Sequence, residues 1–232
     1  MTRSSAPALP SGDEKRAAVE QMFDRIAARY ERVNRVISFG QDSRWRRRTL
    51  AELAVPPGST VADLACGTGD LCRSLAAAGH RVVGFDFSAG MLAAAHAGSP
   101  LVRADVLVLP VPAAVLDGVT CGFALRNFTA LEPFLDECAR VLRPGGRLAL
   151  LDAAEPRNVI MRTGHDLWFR RLVPRIGAAL SDASAYRYLP ASTAYLPEAA
   201  TLVAMVAAAG FTDVSRVTMT GGAVQLITGT RR

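Results

Sequence analysis

Four carboxylates stand at the ends of short apolar runs: Asp63 in TVADLA (60–65), Asp86 after RVVGF (81–85), Asp105 after LVRA (101–104) and Asp152 after RLALL (147–151). The first opens a glycine-rich turn, Asp63-Leu64-Ala65-Cys66-Gly67-Thr68-Gly69-Asp70. Gly67 and Gly69 allow positive φ and close approach of the backbone to a ligand. A dinucleotide turn of the form GxGxxG would rest a pyrophosphate on a helix N-terminus. Here Cys72 holds the place of the third glycine, and Asp63 and Asp70 would repel a pyrophosphate. The two acids suit a ligand bearing an ammonium and a sulfonium. Asp86 is placed to accept from a ribose diol, and Asp105 from the exocyclic amine of adenine. Each acid taken singly is more ordinary as a helix N-cap. The ordered set, together with the turn, describes S-adenosylmethionine as cofactor and S-adenosylhomocysteine as its product. Ala65, Phe87, Met91 and Val106, next to these acids, complete the expected cofactor contacts. No metal is expected, because the four cysteines (66, 72, 121 and 138) form no CxxC and have no histidines at zinc spacing. They read as reduced, unlinked thiols.

Such a set works only if strand ends lie side by side. From residue 60 onward, near-continuous apolar strands alternate with helices, the grammar of a parallel sheet covered on both faces. Strands are predicted at 60–65, 81–85, 101–104, 119–124 and 147–151, with a helix over 131–142. Ligands of such sheets sit at the carboxyl ends of the strands. Ahead of the sheet, Val19, Met22, Phe23, Ile26, Tyr30 and Val33 recur at helical spacing from Glu14 onward. A second helix runs through Trp45 to Leu53 and stops at Pro56-Pro57-Gly58. Residues 157–197 read as a mostly helical insert rich in arginine and aromatics. A helix over 198–209 and strands at 214–218 and 223–229 follow, the strands turning at Gly221-Gly222. Residues 1–13 read as a mobile tail and 14–232 as one domain, with 14–56 as a helical cap.

The chain has 232 residues, 50% of them hydrophobic, and a mean hydropathy of +0.19, which exclude a mainly disordered protein. No apolar run approaches the ~18 residues of a membrane span. The N-terminus lacks the apolar core of a secretory signal, so a cytoplasmic protein is expected. The net charge of +6 is carried by arginine, with Lys15 the only lysine. Nucleic acid is not an expected partner, since no zinc-finger, helix-turn-helix or RNA-binding aromatic pattern accompanies the charge. Eight arginines crowd residues 25–48, which suits either a solvated face or an anionic surface.

Seven segments carry a family resemblance: MFDRIAARYERVNRVISFGQDSRWRR (22–47), DLACGTGD (63–70), GFDFSAGML (84–92), GFALRNFT (122–129), RVLRPGGRL (140–148), AYRYLPAS (185–192) and TGGAVQLITG (220–229). Through them the chain resembles the ubiquinone/menaquinone biosynthesis C-methyltransferases, over about residues 19–230. The resemblance implies a Rossmann-like class I methyltransferase sheet, mostly parallel with an antiparallel C-terminal hairpin. It further implies that Asp63, Gly67, Asp86 and Asp105 hold the cofactor, joined by Arg126 and Asn127.

The implied reaction places a methyl group on a ring carbon of a prenylated quinol, demethylmenaquinol to menaquinol. A phenol of pKa near 10 must lose its proton for the carbon to become nucleophilic. Arg126 is no base, but it could stabilise the phenolate or orient a water that takes the proton. Asn127, Tyr30 over the cofactor and His165 in the insert complete the expected catalytic set. Two departures from the family pattern, Asp152-Ala153-Ala154-Glu155-Pro156 in place of an aromatic-bearing segment and His165 in place of an aromatic, leave other acceptors open. These are the ubiquinol-pathway ring and another phenolic or polyketide small molecule. The expected partners are the quinol, a second copy of the chain in a homodimer, and an anionic membrane face met by Arg44–Arg48, Trp45, Trp168, Phe169, Arg170 and Arg171.

Overall fold

A computed structural model describes residues 12–96, 98–156, 158–168, 172–182, 185, 188 and 192–232. Its centre is a seven-stranded sheet of strands β1 (Thr60–Leu64), β2 (Arg81–Asp86), β3 (Leu101–Arg103), β4 (Leu116–Gly122), β5 (Leu142–Ala153), β6 (Phe211–Met219) and β7 (Val224–Arg231). The order is β3-β2-β1-β4-β5-β7-β6. The first five strands run parallel, and β7 inserts antiparallel between β5 and β6. This is the expected sheet, including its antiparallel finish. Gly221 and Gly222 make the closing turn at φ of 64° and 98°, values that a side chain would strain.

The strand order reverses between β1 and β4, and ligands of open α/β sheets bind at such a point. Register places Asp63 of β1 between Gly84 of β2 and Thr120 of β4. Four residues in a row of β1 are buried, as expected for a strand covered on both faces. One core layer packs Phe134, Leu135 and Val141 of α6 (Glu132–Val141) against β1, β4 and β5. The opposite layer packs Leu53 of α3 (Asp42–Leu53) with Leu71, Cys72 and Leu75 of α4 (Asp70–Ala77).

The N-terminal cap is not one helix, as its unbroken apolar stripe suggests. α1 (Gly12–Ile26) passes through a 3-10 turn at Ala27–Arg29 into α2 (Tyr30–Ile37). No glycine or proline forces this break. The turn re-aims α2 so that Val33 joins Met22, Ile26, Met91 and Val173 in a third apolar cluster. α1 is bolted across the sheet tips: Asp24 Oδ1 accepts from Ser88 Oγ (2.6 Å) and from the Gly90 N–H (2.8 Å) of α5 (Ala89–Ala93), and Lys15 Nζ donates to the Phe128 carbonyl (2.6 Å). The helix starts at Gly12, inside the segment expected as tail; residues 1–11 lie outside the described residues.

Within the insert, the described residues form α7 (Val159–Leu167), α8 (Val173–Leu180) and a 3-10 turn at Thr193–Tyr195. β4 begins at Leu116 and β5 at Leu142, both earlier than the apolar runs suggest, because Leu116 pairs with Leu142 across the Pro144-Gly145-Gly146 irregularity. Among the described residues no helix is long and apolar enough to cross a membrane.

Candidate active site

Two adjoining cavities open at the C-terminal ends of β1, β2 and β4, one of about 430 Å³ and one of about 90 Å³. Tyr30, Ala65, Gly67, Gly122 and Phe123 line both, so they form one cleft narrowed at the glycine turn. The turn itself is built from three left-handed residues, Ala65 (φ 53°), Gly67 (φ 55°) and Gly69 (φ 81°). A side chain on Gly67 would meet no protein atom within 4 Å, which leaves the space above the turn open to a ligand. Gly69 lines neither cavity; it caps α4 from below the turn.

The smaller cavity gathers Asp86, Phe87, Met91, Asp105, Val106 and Asn127. Asp86 Oδ2 accepts from the Gly67 N–H (2.8 Å) and Oδ1 from the Ser88 N–H (2.9 Å). Burial pushes the Asp86 carboxyl above the ordinary range, and these backbone donors oppose the rise. Asp105 Oδ1 accepts from the Leu107 N–H (2.9 Å), and its Oδ2 pairs with Arg16 of α1 at 2.9 Å. α1 thus closes this cavity as a lid, through Arg16, Val19 and Phe23.

The larger cavity carries the charged end of the cleft. Asp63 is fully buried and accepts from Thr120 Oγ1 (2.8 Å) and Cys72 Sγ (3.4 Å). Burial raises its pKa to about 7, despite the Thr120 and Cys72 hydrogen bonds, and the Asp86 and Asp70 charges add to the rise. Asp70 is raised too, by burial first, although Arg46 and Arg73 stand beside it. Three carboxylates are thus displaced in the same direction, each by burial first. Thr68 Oγ1, in the turn and on the cavity wall, is buried with no partner. These features fit a ligand with an ammonium near Asp63 and Asp70, and a hydrogen-bonding group at Thr68.

At the junction of the cavities lies a second constellation. Arg126, 5% exposed, donates from Nη1 to Asp152 Oδ1 at 2.5 Å. Asp152, fully buried at the end of β5, also accepts from the Leu125 N–H (2.9 Å) and the Ala153 N–H (2.7 Å). Tyr30 and Tyr188 both lie within the field of Arg126, and burial holds both phenols protonated, Tyr188 raised to about 12. Tyr188 donates its hydroxyl to Asn127 Oδ1 (3.4 Å).

Every expected site residue except Gly69 and His165 lines this cleft. His165 belongs to α7, and its side chain lies outside the described residues. Sequence reasoning missed Thr68, Tyr188 and Arg46. The run Arg44–Arg48 reads as an outward basic surface, but Arg46 turns in to pair with Asp42 (2.9 Å) and Asp70 (3.5 Å). Trp45 faces inward as well, donating to Thr220 Oγ1 (2.9 Å) beside Phe123. Its partners, Phe123 and Thr220, are distant in the chain, so nothing in the local sequence marks the contact. Trp168 lies on the cavity wall over Phe39, and 169–171 lie outside the described residues.

A sheet of this order, with an acid-lined glycine turn at its switch point, defines a class I methyltransferase. A solved S-adenosylmethionine-dependent methyltransferase from Thermotoga maritima shares the fold with a TM-score of 0.67 at 17% identity, covering 91% of this chain and 99% of that one. The chain belongs to the ubiE/COQ5 methyltransferase family, whose model matches residues 11–231. It is 40% identical over 219 residues to the ubiquinone/menaquinone biosynthesis C-methyltransferase UbiE of Syntrophotalea carbinolica, covering 90% of this chain and 92% of that protein. It is also 40% identical over 213 residues to the demethylmenaquinone methyltransferase of Mycobacterium tuberculosis, covering 91% of each.

Proposed function

We propose that this methyltransferase converts demethylmenaquinol to menaquinol, methylating a ring carbon of a prenylated quinol. The observation that carries the reading is Arg126, clamped by Asp152 on the wall of the larger cavity beside its junction with the smaller one. S-adenosylmethionine supplies the transferable methyl group on its sulfonium. Asp86 and Asp105 hold the adenosyl end in the smaller cavity, while Asp63, Asp70 and Thr68 take the amino-acid end. The residues shared by both cavities then sit at the point of methyl transfer.

The substrate's hydroxyl must ionise for the neighbouring carbon to react, and Arg126 favours the phenolate by its fixed charge in a site screened from water. The proton leaves to a water beside Arg126. Tyr30, kept protonated by its burial, acts as a donor and not as the base. Asn127, held by the Tyr188 hydroxyl, lines the floor between cofactor and ring. The relatives named for menaquinone and quinone methylation support the acceptor.

The prenyl tail leaves through the mouth of the larger cavity, where Phe39 (69% exposed) and Met161 (48% exposed) form an apolar edge. We place this mouth on the inner membrane surface, with exposed Arg35, Arg44 and Arg47 meeting anionic head groups, and the protein at the cytoplasmic face. Purified protein, labelled donor and a panel of reduced quinols and other phenols test the acceptor, with products identified by mass and ring position. Methylation of an oxygen or nitrogen acceptor with no quinol turned over overturns it; vesicle binding indifferent to anionic lipid overturns the membrane placement.

A further inference from the structure

We propose that Cys66 and Cys72 form a redox pair beneath the donor turn, a dithiol that a para-quinone bound in the larger cavity oxidises to a disulfide. The choice of oxidant rests on the quinol reading above; the pair itself rests on geometry. Cys66 precedes Gly67 and lines the larger cavity, whereas Cys72 is fully buried on the first turn of α4. A side chain at Gly84 would meet Cys66 Sγ at 2.8 Å and Cys72 Sγ at 2.9 Å. The glycine of β2 therefore leaves one small space, walled on its third side by Leu101 Cδ2 (2.6 Å), on which both sulfurs converge, and a hydrogen bond links the two thiols. Cys121 and Cys138 are buried and line neither cavity.

Both thiols are tied to the donor site. Cys72 Sγ donates to Asp63 Oδ2 at 3.4 Å, and Cys66 Sγ donates to the Gly67 carbonyl at 3.9 Å. A hydrogen bond with Cys66, then burial, holds the Cys72 thiol protonated. Cys66, on the cavity wall, is thus the thiol that meets the oxidant, and Cys72 is the resolving partner. The step balances: two S–H bonds break, one S–S bond forms, and the quinone takes two electrons and two protons to become its hydroquinone. That product carries the ionisable hydroxyl which the methyl-transfer reaction requires, and the quinone lacks it. The disulfide removes the Cys72 donor from Asp63 and draws the residue before Gly67 toward α4, so donor binding weakens while the pair is oxidised.

The full chain, reduced and anaerobic, is exposed to 2,3-dimethyl-1,4-naphthoquinone, whose blocked ring carbons cannot add a thiol. The expected result is a Cys66–Cys72 cross-linked peptide lighter by two hydrogens and a loss of donor affinity of about tenfold, the weight of one hydrogen bond to a charged group. Dithiothreitol should reverse both. Cys66→Ser and Cys72→Ser should each keep, after exposure, the affinity of their own unexposed form. Both thiols remaining open to alkylation after quinone exposure overturns the proposal, as does a disulfide formed by diamide but not by the quinone. A protein that methylates quinols while its thiols stay reduced sinks this inference alone. A disulfide formed in a protein that methylates no quinol upholds the pair and sinks the acceptor assignment.

Discussion

The Arg126–Asp152 pair allows fold and catalysis to be separated experimentally. Asp152 has no exposure and satisfies three donors: the Arg126 guanidinium and the N–H groups of Leu125 and Ala153. Asp152→Ala therefore strands a buried charge, at about 3–5 kcal/mol, and orphans two backbone donors at about 1–3 kcal/mol each. For a domain of this size each kcal/mol lowers the melting temperature by about 2–4 °C, so a fall of about 10 °C or more is expected. Arg126→Met alone leaves Asp152 charged and unpaired, with a similar loss. The double variant Arg126→Met/Asp152→Asn removes both charges and keeps an oxygen for the backbone donors, so most of the stability should return. Its turnover should not return: losing a fixed charge beside the developing phenolate costs about 100- to 1,000-fold in kcat. Urea titration, calorimetry with the donor and a methyl-transfer assay read the three quantities separately, with donor affinity expected within about threefold of the wild type. A double variant that turns over near the wild-type rate, or an Asp152→Ala variant that unfolds at the wild-type midpoint, refutes the role of the pair.

Three further outcomes follow, two from the cleft and one from α1. Asp86→Ala should weaken donor binding by about tenfold to a hundredfold, since it removes the ribose acceptor and frees the Gly67 N–H; unchanged affinity by calorimetry refutes the ribose assignment. Asp63 has a folded pKa of about 7 against an ordinary 3.8, so its contribution to stability is full below 3.8 and is lost as pH rises through 7. Asp63→Asn should therefore gain on the wild type over that window in urea titrations, and a cationic donor, which favours the ionised acid, should release a proton on binding at pH 6. Equal calorimetric heats in buffers of different ionisation enthalpy would contradict this. Lys15 is lowered from 10.5 to about 8 by burial, so the unfolded chain holds more protons between those values and stability rises with pH there. Relative to Lys15→Met, the wild type should gain stability from pH 8 to 10.5; a flat difference refutes a buried Lys15.

The order of elements and the acids at the strand tips were legible because each depends on a local pattern: an apolar run, then a polar residue, then a turn. Asp63, Asp86 and Asp105 were legible as a set because each closes an apolar run, and the structure brings all three to the walls of one cleft. Three-dimensional contacts were not legible. Nothing near Thr68 in sequence shows that its hydroxyl is stranded on a cavity wall. Arg46 sits in a run of arginines that reads as solvent-facing, yet acids from two separate elements draw it inward. The break at Ala27–Arg29 escaped because the apolar stripe continues across it, and packing against Met91 and Val173 decides the direction of α2.

By itself the sequence determined the alternating strand-and-helix grammar, the glycine turn and the acids at the strand ends. These follow from backbone geometry and side-chain charge within a few residues. Only the tertiary structure decided that Asp152 is the clamp of Arg126, that α1 is the lid of the smaller cavity, and that Cys66 and Cys72 share one space over Gly84. Those are meetings between residues distant in the chain, or set by the path of a turn, and burial rather than local propensity fixes their energies.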